Sequence, residues 1–231
     1  MAHSVRRHLR LEVAAYDAAI RRFIPAYEEM LRQAAAAVAA VRPERVLDVG
    51  AGTGALSEAL LRHPEVGNVE LLDVDAEMLQ QARGRLGGHP DRVRFTVRSF
   101  DEPFPPCDAI AAALSLHHIP TLEAKAALFA RAFNALPPGG LLVNADATMP
   151  ADPPERERLF RYWADHMVAC GIEEQRAWQH FDEWSGEDTY LPLEAELDAM
   201  SRAGFEACCT WRAGPIGVVV ATRPVHPARA S

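Results

Sequence analysis

The sequence has no run of about 18 apolar residues, which excludes a membrane-spanning helix of ordinary length. Residues 1–10 lack the apolar stretch of a secretory signal, and the first long apolar run, 34–41, is alanine-rich and lies too far in. Cysteine is sparse: Cys107, Cys170, Cys208 and Cys209, with no C-x-x-C pair. Cys208 and Cys209 are adjacent and in a strand point to opposite faces. Neither a zinc framework nor a disulfide scaffold follows, no metal site is expected, and four scattered thiols fit a reducing cytoplasm. Positive charge is also in deficit. Lys plus Arg number 24 against 32 Asp plus Glu, a net charge of -8, so the chain has no overall pull on phosphate backbones and nucleic acid is disfavoured as a partner. The one early basic cluster, Arg6, Arg7 and Arg10, reads as a solvated helix face or a frayed end. There is no internal repeat, and no low-complexity segment beyond the alanine-rich patch.

What is present reads as one α/β domain over residues 1–231. The composition, 49% hydrophobic and 24% charged, is that of a globular chain of ample core size. Residues 9–40 carry apolar side chains at helical spacing, interrupted by Pro25, which predicts two helices with a turn near 23–26 and a helical N-terminal cap over 1–42. The pattern then alternates: strand 45–49, helix 55–62, strand 69–74, helix 76–86, strand 93–97, a nearly continuous apolar strand 107–114, helix 121–136 with Thr121 as N-cap, and strand 141–146. Strand–helix alternation predicts a doubly wound parallel sheet of the Rossmann-like type. Residues 150–190 break the rhythm and read as two inserted helices, 153–170 and 173–184, forming a lid. A helix at 191–203 and an antiparallel hairpin of 205–211 with 217–221 complete seven strands, and the Pro- and Ala-rich tail after Pro224 reads as frayed.

The chemistry-bearing segment is Val46-Leu47-Asp48-Val49-Gly50-Ala51-Gly52-Thr53-Gly54, between a strand and a helix. Glycines there let the backbone turn tightly and approach a ligand. The amides at the following helix start are free to donate. Asp73 ends the next strand, 23 residues after Gly50, where a carboxylate accepts hydrogen bonds from ribose hydroxyls. A nicotinamide pattern can also be read in Gly50, Gly52 and Ala55. Asp48 discriminates: an acid two residues before the loop adds negative charge beside a pyrophosphate, but attracts the cationic amino-acid end of S-adenosylmethionine.

With these residues in place, the chain resembles the class I methyltransferases from about Val46 to Arg223. Leu47 to Gly54 looks like their first motif and Leu72 to Leu79 like their second. Leu114 to Ile119, Leu136 to Val143 and Ala203-Gly204-Phe205 look like later landmarks, and the final hairpin is the family's mark. The resemblance implies S-adenosylmethionine as cofactor, with Asp73 on the ribose and Val74 and Met78 flanking the adenine. Where the family usually has an Asp for the adenine amine, this chain has Val97-Arg98-Ser99-Phe100, so Ser99 or the backbone beside Phe100 would take that contact. The cofactor set implied is Tyr27, Asp48, Gly50, Ala51, Gly52, Gly54, Asp73, Val74, Met78, Ser99, Phe100 and Leu114. Tyr16-Asp17, Ile24 to Tyr27 and the insertion are similar to a subgroup containing the carboxy-S-adenosylmethionine synthases. Those hold a cofactor carboxylate with an arginine that aligns with Ala199 here, which speaks for plain methyl transfer.

Ligands in such sheets bind beyond the carboxyl ends of the strands. His117, Asp146 and His166 lie at or near that edge and are the candidates for a catalytic role, should the acceptor need to lose a proton. The insertion holds three of the four tryptophans, Trp163, Trp178 and Trp184, which suggests a lid over a small, partly apolar substrate. The apolar side of the N-terminal helices would suit a homodimer. The competing readings are a nicotinamide-dependent oxidoreductase, disfavoured by Asp48, the hairpin and the lack of a Tyr-x-x-x-Lys pair; a non-catalytic S-adenosylmethionine-binding protein; and a modification enzyme for tRNA or protein, disfavoured by the charge and the short chain.

Overall fold

A computed structural model describes residues 15–225. The basic cluster Arg6, Arg7 and Arg10, the start of the first predicted helix and the tail from residue 226 lie outside the described residues. Helices α1 (Tyr16–Phe23) and α2 (Tyr27–Ala39) precede strand β1 (Arg45–Val49). They are separated where Pro25 predicted a break, with Ala26 in a left-handed conformation (φ 52). Then follow α3 (Ala55–Leu61), β2 (Asn68–Asp73), α4 (Ala76–Arg85), β3 (Val93–Val97), β4 (Ala109–Ala113), a short 3₁₀ turn at Leu116–His118, α5 (Leu122–Ala135) and β5 (Leu141–Ala147). The insertion is α6 (Pro153–Ala169) and α7 (Glu174–Trp184). Helix α8 (Leu193–Arg202) and strands β6 (Glu206–Ala213) and β7 (Ile216–Thr222) end the fold.

The seven strands form one sheet in the order β3-β2-β1-β4-β5-β7-β6. The pairs from β3 through β5 are parallel; β7 runs antiparallel to both β5 and β6. The direction of winding reverses between β1 and β4, so the crevice at their carboxyl ends is where such a sheet takes a ligand.

Each face of the sheet carries its own core. In β4, Ala109 and Ala111 pack on one side with α2, α3, α4 and the insertion, while Ile110 and Ala112 pack on the other with α5 and α8. Burial on both faces explains the unbroken apolar pattern. The strand is shorter than the sequence pattern suggested because Cys107 bonds Ala135 rather than the ladder, and Leu114 turns into a left-handed conformation (φ 50). Thr121 caps α5 as expected, its hydroxyl accepting from the Ala124 amide at 3.2 Å. The apolar side of α1 and α2 (Ile20, Phe23, Met30, Leu31, Val38) is buried in the chain's own core. That removes the face on which a homodimer was expected. Among the described residues no helix is long and apolar enough to cross a membrane.

Candidate active site

The glycine loop after β1 is pinned to the end of β2: the Gly50 and Ala51 amides donate to the Leu72 carbonyl at 2.8 and 3.0 Å. Gly50 has φ +68, and a Cβ there would lie 2.5 Å from the Ser115 Cβ, so the loop meets the segment after β4 at a contact only glycine permits. The next link is Asp73. Its Oδ2 accepts from the Gly52 amide at 2.7 Å and its Oδ1 from the Asp75 amide at 2.8 Å. The carboxylate thus ties the loop to the start of α4. Burial raises its pKa, against the lowering effect of the Asp75 and Gly52 amides.

Asp48 is 1% exposed. Its Oδ2 accepts from the Ser57 hydroxyl on α3 at 2.6 Å, and its Oδ1 has no hydrogen-bond partner among the described residues. Burial pushes its pKa up to about 7, with Ser57 holding it down and the Asp73 charge adding to the rise. A small void of about 40 Å³ adjoins it, lined also by Tyr16, Tyr27, Gly50, Ala51 and Gly52. A buried carboxylate oxygen without a partner, facing a void, suits a cation supplied from outside. The ammonium of S-adenosylmethionine fits this requirement, and a pyrophosphate does not.

Beside this void a cavity of about 770 Å³ opens at the carboxyl ends of β1, β2 and β4. Gly50, Gly52, Asp73 and Val74 line one part of it, with Met78, Ser99, Phe100 and Leu114. The sequence-derived set is therefore gathered at one place, with Asp48, Ala51 and Tyr27 at the smaller void. Gly54 stands apart. At φ +80 it opens α3, and a Cβ there would press on Ala82, Leu71 and Leu86, so it serves helix packing. Ser99 turns its hydroxyl to Asp101 at 3.2 Å and accepts from the Asp101 amide at 3.1 Å, and both residues line the cavity.

His117 and Asp146 meet. The His117 Nδ1 lies 2.6 Å from the Asp146 Oδ1, and Asp146 Oδ2 accepts from the His117 amide at 3.0 Å. Burial works to lower the imidazole pKa, but the charge and hydrogen bond of Asp146, aided by Asp188, outweigh it and the net shift is upward. Burial likewise works to raise the Asp146 pKa, and His117 outweighs it, so that carboxyl is held below its ordinary range.

His166 is not brought to the site. It sits on α6 with its Nε2 3.3 Å from the Arg21 carbonyl and 3.7 Å from the Cys170 Sγ, away from the cavity lining. The aromatic residues of the insertion also differ from the expectation that they form the lid over a substrate. Trp163, Phe181, Trp184 and Tyr190 pack against one another, and Phe23 of α1 joins them. The Trp163 indole donates to the Phe23 carbonyl at 2.6 Å. The insertion instead offers the cavity the loop after α7, at Gly186 and Glu187. His118, Ile119, Pro120 and Ala124 complete that end. Of these, His118 and Ile119 belong to the Leu114 to Ile119 landmark read in the sequence; Pro120, Ala124, Gly186 and Glu187 follow from no spacing or motif.

The comparisons with known proteins agree with this geometry. A methyltransferase-domain family model matches residues 46–140. The demethylmenaquinone methyltransferase of Clavibacter sepedonicus is 30% identical over 202 residues, 83% of this chain and 77% of that one. A carboxy-S-adenosyl-L-methionine synthase of Chromohalobacter salexigens is 28% identical over 212 residues, 86% of this chain and 76% of its own length. Among solved structures, an O-methyltransferase family protein from Burkholderia thailandensis superposes with a TM-score of 0.70 over 92% of this chain at 18% identity, which shows the shared fold. This chain spans 59% of that one's length.

Proposed function

The chain belongs to the class I S-adenosylmethionine-dependent methyltransferases, and on that premise we propose that it methylates a small-molecule acceptor held at the His118–Glu187 end of the cavity. S-adenosylmethionine, when bound, supplies an activated methyl group. On this reading Asp48 and the glycine loop hold its amino-acid end, Asp73 its ribose, and Val74, Met78, Ser99 and Phe100 its base.

One observation carries the choice of acceptor. The cavity, at about 770 Å³, lies within the range of small-ligand sites, roughly 300–1,000 Å³, and has to take cofactor and acceptor together. The net charge of -8 argues in the same direction, away from nucleic acid. Holding two small reactants in line is worth roughly 7–11 kcal/mol of the barrier, so positioning is the chief task of these walls. His117, fixed by Asp146, orders the wall beside His118 rather than facing the open cavity. The free thiols, Cys107 buried among them, support a reducing cytoplasm as the working compartment.

The carboxy-S-adenosyl-L-methionine synthase among the relatives raises carboxyl transfer to the cofactor as a second activity. Ala199 stands where the synthases place their arginine by resemblance, and it is 3% exposed in the core between α8 and the sheet. That supports plain methyl transfer. The test is calorimetric titration with S-adenosylhomocysteine and with NADH, followed by mass spectrometry of S-adenosylmethionine incubated with the protein and candidate acceptors. Micromolar S-adenosylhomocysteine binding and conversion of the cofactor to S-adenosylhomocysteine support the reading. NADH binding alone, or a carboxylated cofactor, overturns it.

A further inference from the structure

His117, His118 and Asp188 bring three metal-ligating atoms within 4.8 Å of one another, and His118 among them lines the cavity. We propose that this trio is a binding site for a first-row divalent cation of the zinc or iron(II) class. The His118 Nδ1 is 3.1 Å from the Asp188 Oδ1, and the His117 Nε2 is 3.7 Å from the same oxygen. His117 has its Nδ1 engaged by Asp146 at 2.6 Å, so its Nε2 turns toward that carboxylate. Two imidazole nitrogens directed at one carboxylate oxygen are held together by a proton or by a cation between them. Two His and one carboxylate, with positions left over, is the donor set of catalytic zinc and of non-haem iron sites.

The surroundings are those of a built site. Asp146, buried and satisfied by the His117 and Ala147 amides, fixes the ring of His117 as a carboxylate behind a metal-bound histidine does. The Tyr190 hydroxyl donates to the Asp188 Oδ2 at 2.6 Å and so holds that carboxylate in orientation. Bonds of about 2.0–2.2 Å put tetrahedral ligand pairs roughly 3.3–3.6 Å apart, which modest side-chain rotations would reach here. Of the three, His118 lines the cavity, so an ion held here would order the wall at its acceptor end. That role rests on the methyltransferase reading of the cavity; the binding of the ion does not.

The experiment is a titration of the chelator-treated full chain with Co(II), followed by visible absorption, with Zn(II) as competitor and S-adenosylhomocysteine calorimetry on the same sample. The expected result is one Co(II) per chain with ligand-field bands that one equivalent of Zn(II) abolishes. His118→Ala and the isosteric Asp188→Asn should each weaken binding at least a hundredfold, and Asp146→Asn roughly 10–100-fold. Near-ultraviolet circular dichroism checks that each variant is folded. The absence of stoichiometric bands in the natural protein overturns the site without reference to any variant. Bands that survive in His118→Ala and Asp188→Asn place the ion elsewhere and also overturn it. Bands without S-adenosylhomocysteine binding would uphold the metal site and sink the reading of the cavity.

Discussion

The Ser57 hydroxyl donates to one oxygen of Asp48 at 2.6 Å and leaves the other buried without a partner among the described residues. A pKa of about 7 makes this carboxyl a switch for cofactor binding near neutrality. The sign follows from burial: the folded-state value lies above the ordinary one of about 3.9, so the group is neutral at low pH and charges as pH rises through 7. S-adenosylhomocysteine affinity, measured between pH 5.5 and 8.5, should be full above 7 and fall up to about tenfold per pH unit below it. Asp48→Asn should flatten that profile at a level at least tenfold weaker. A natural protein whose affinity is constant over the range would show that Asp48 does not meet the ammonium.

The same shift has a cost in stability. Between about pH 3.9 and 7 the unfolded chain ionises Asp48 first, so its burial destabilises the fold increasingly as pH rises. Asp48→Asn keeps an acceptor for Ser57 and removes the charge. The free variant should therefore melt at or above the natural protein at pH 8, although it binds cofactor worse. A lower melting temperature for the variant would mean that the charge has a stabilising partner in the free protein.

Much of this was legible in the sequence because period and punctuation are local. Short apolar segments between helical stretches marked the strands, β4 by an unbroken apolar run; Pro25 marked the break between α1 and α2, Thr121 a cap, and the spacing of Gly50 and Asp73 placed the loop beside an acid on the neighbouring strand. What escaped depends on which way an element faces. Helical spacing puts His166 on one side of α6 with Tyr162 and Cys170, but says nothing of whether that side meets the cavity or Arg21. The tryptophans read as a lid over a substrate because apolar lids and apolar cores share one composition; only packing shows that Trp163 and Trp184 face each other and Phe23. Asp188 lies 70 residues after His118, in a loop without periodicity, so no pattern joins them. Cysteine spacing, which alone guided the expectation of no metal, is silent about that trio.

Gly50→Ala tests the close approach of the glycine loop to the end of β4. The new Cβ would meet the Ser115 Cβ at 2.5 Å in a backbone with φ +68. Overpacking of this kind costs about 1–3 kcal/mol, and left-handed backbone adds about 1–2. Urea unfolding should show a loss of about 2–5 kcal/mol, with S-adenosylhomocysteine binding abolished. Adding Ser115→Gly removes the clash but not the backbone strain, so it should restore part of the stability. No restoration would place the damage in the backbone alone.

Asp73→Ala should weaken S-adenosylhomocysteine binding by about 1.5–3 kcal/mol for each charge-assisted bond lost, roughly tenfold to over a hundredfold. Because this carboxylate also accepts from the Gly52 and Asp75 amides, the variant should loosen the loop as well. Hydrogen exchange at those two amides should rise in the free protein. Unchanged cofactor affinity would remove Asp73 from the ribose contact, whatever the amides do.

Lys125 on α5 and Glu196 on α8 form an ion pair whose side chains are each 1% exposed, away from the cavity lining. The Asn144 amide approaches the second carboxylate oxygen at 3.4 Å. Burial works to raise the Glu196 pKa and Lys125 works to lower it, with burial prevailing. Removing one partner leaves the other charge buried alone. Lys125→Met should therefore cost about 3–5 kcal/mol, or roughly 6–20 °C in melting temperature for a chain of this size. Replacing both, as Lys125→Met with Glu196→Leu, should recover most of the loss, since an apolar pair of similar volume needs no desolvation of charge. A single variant that costs less than about 1 kcal/mol would mean that water reaches Glu196 once the lysine is gone. A double variant no better than the single would instead make shape, rather than charge, the reason these two helices meet as they do.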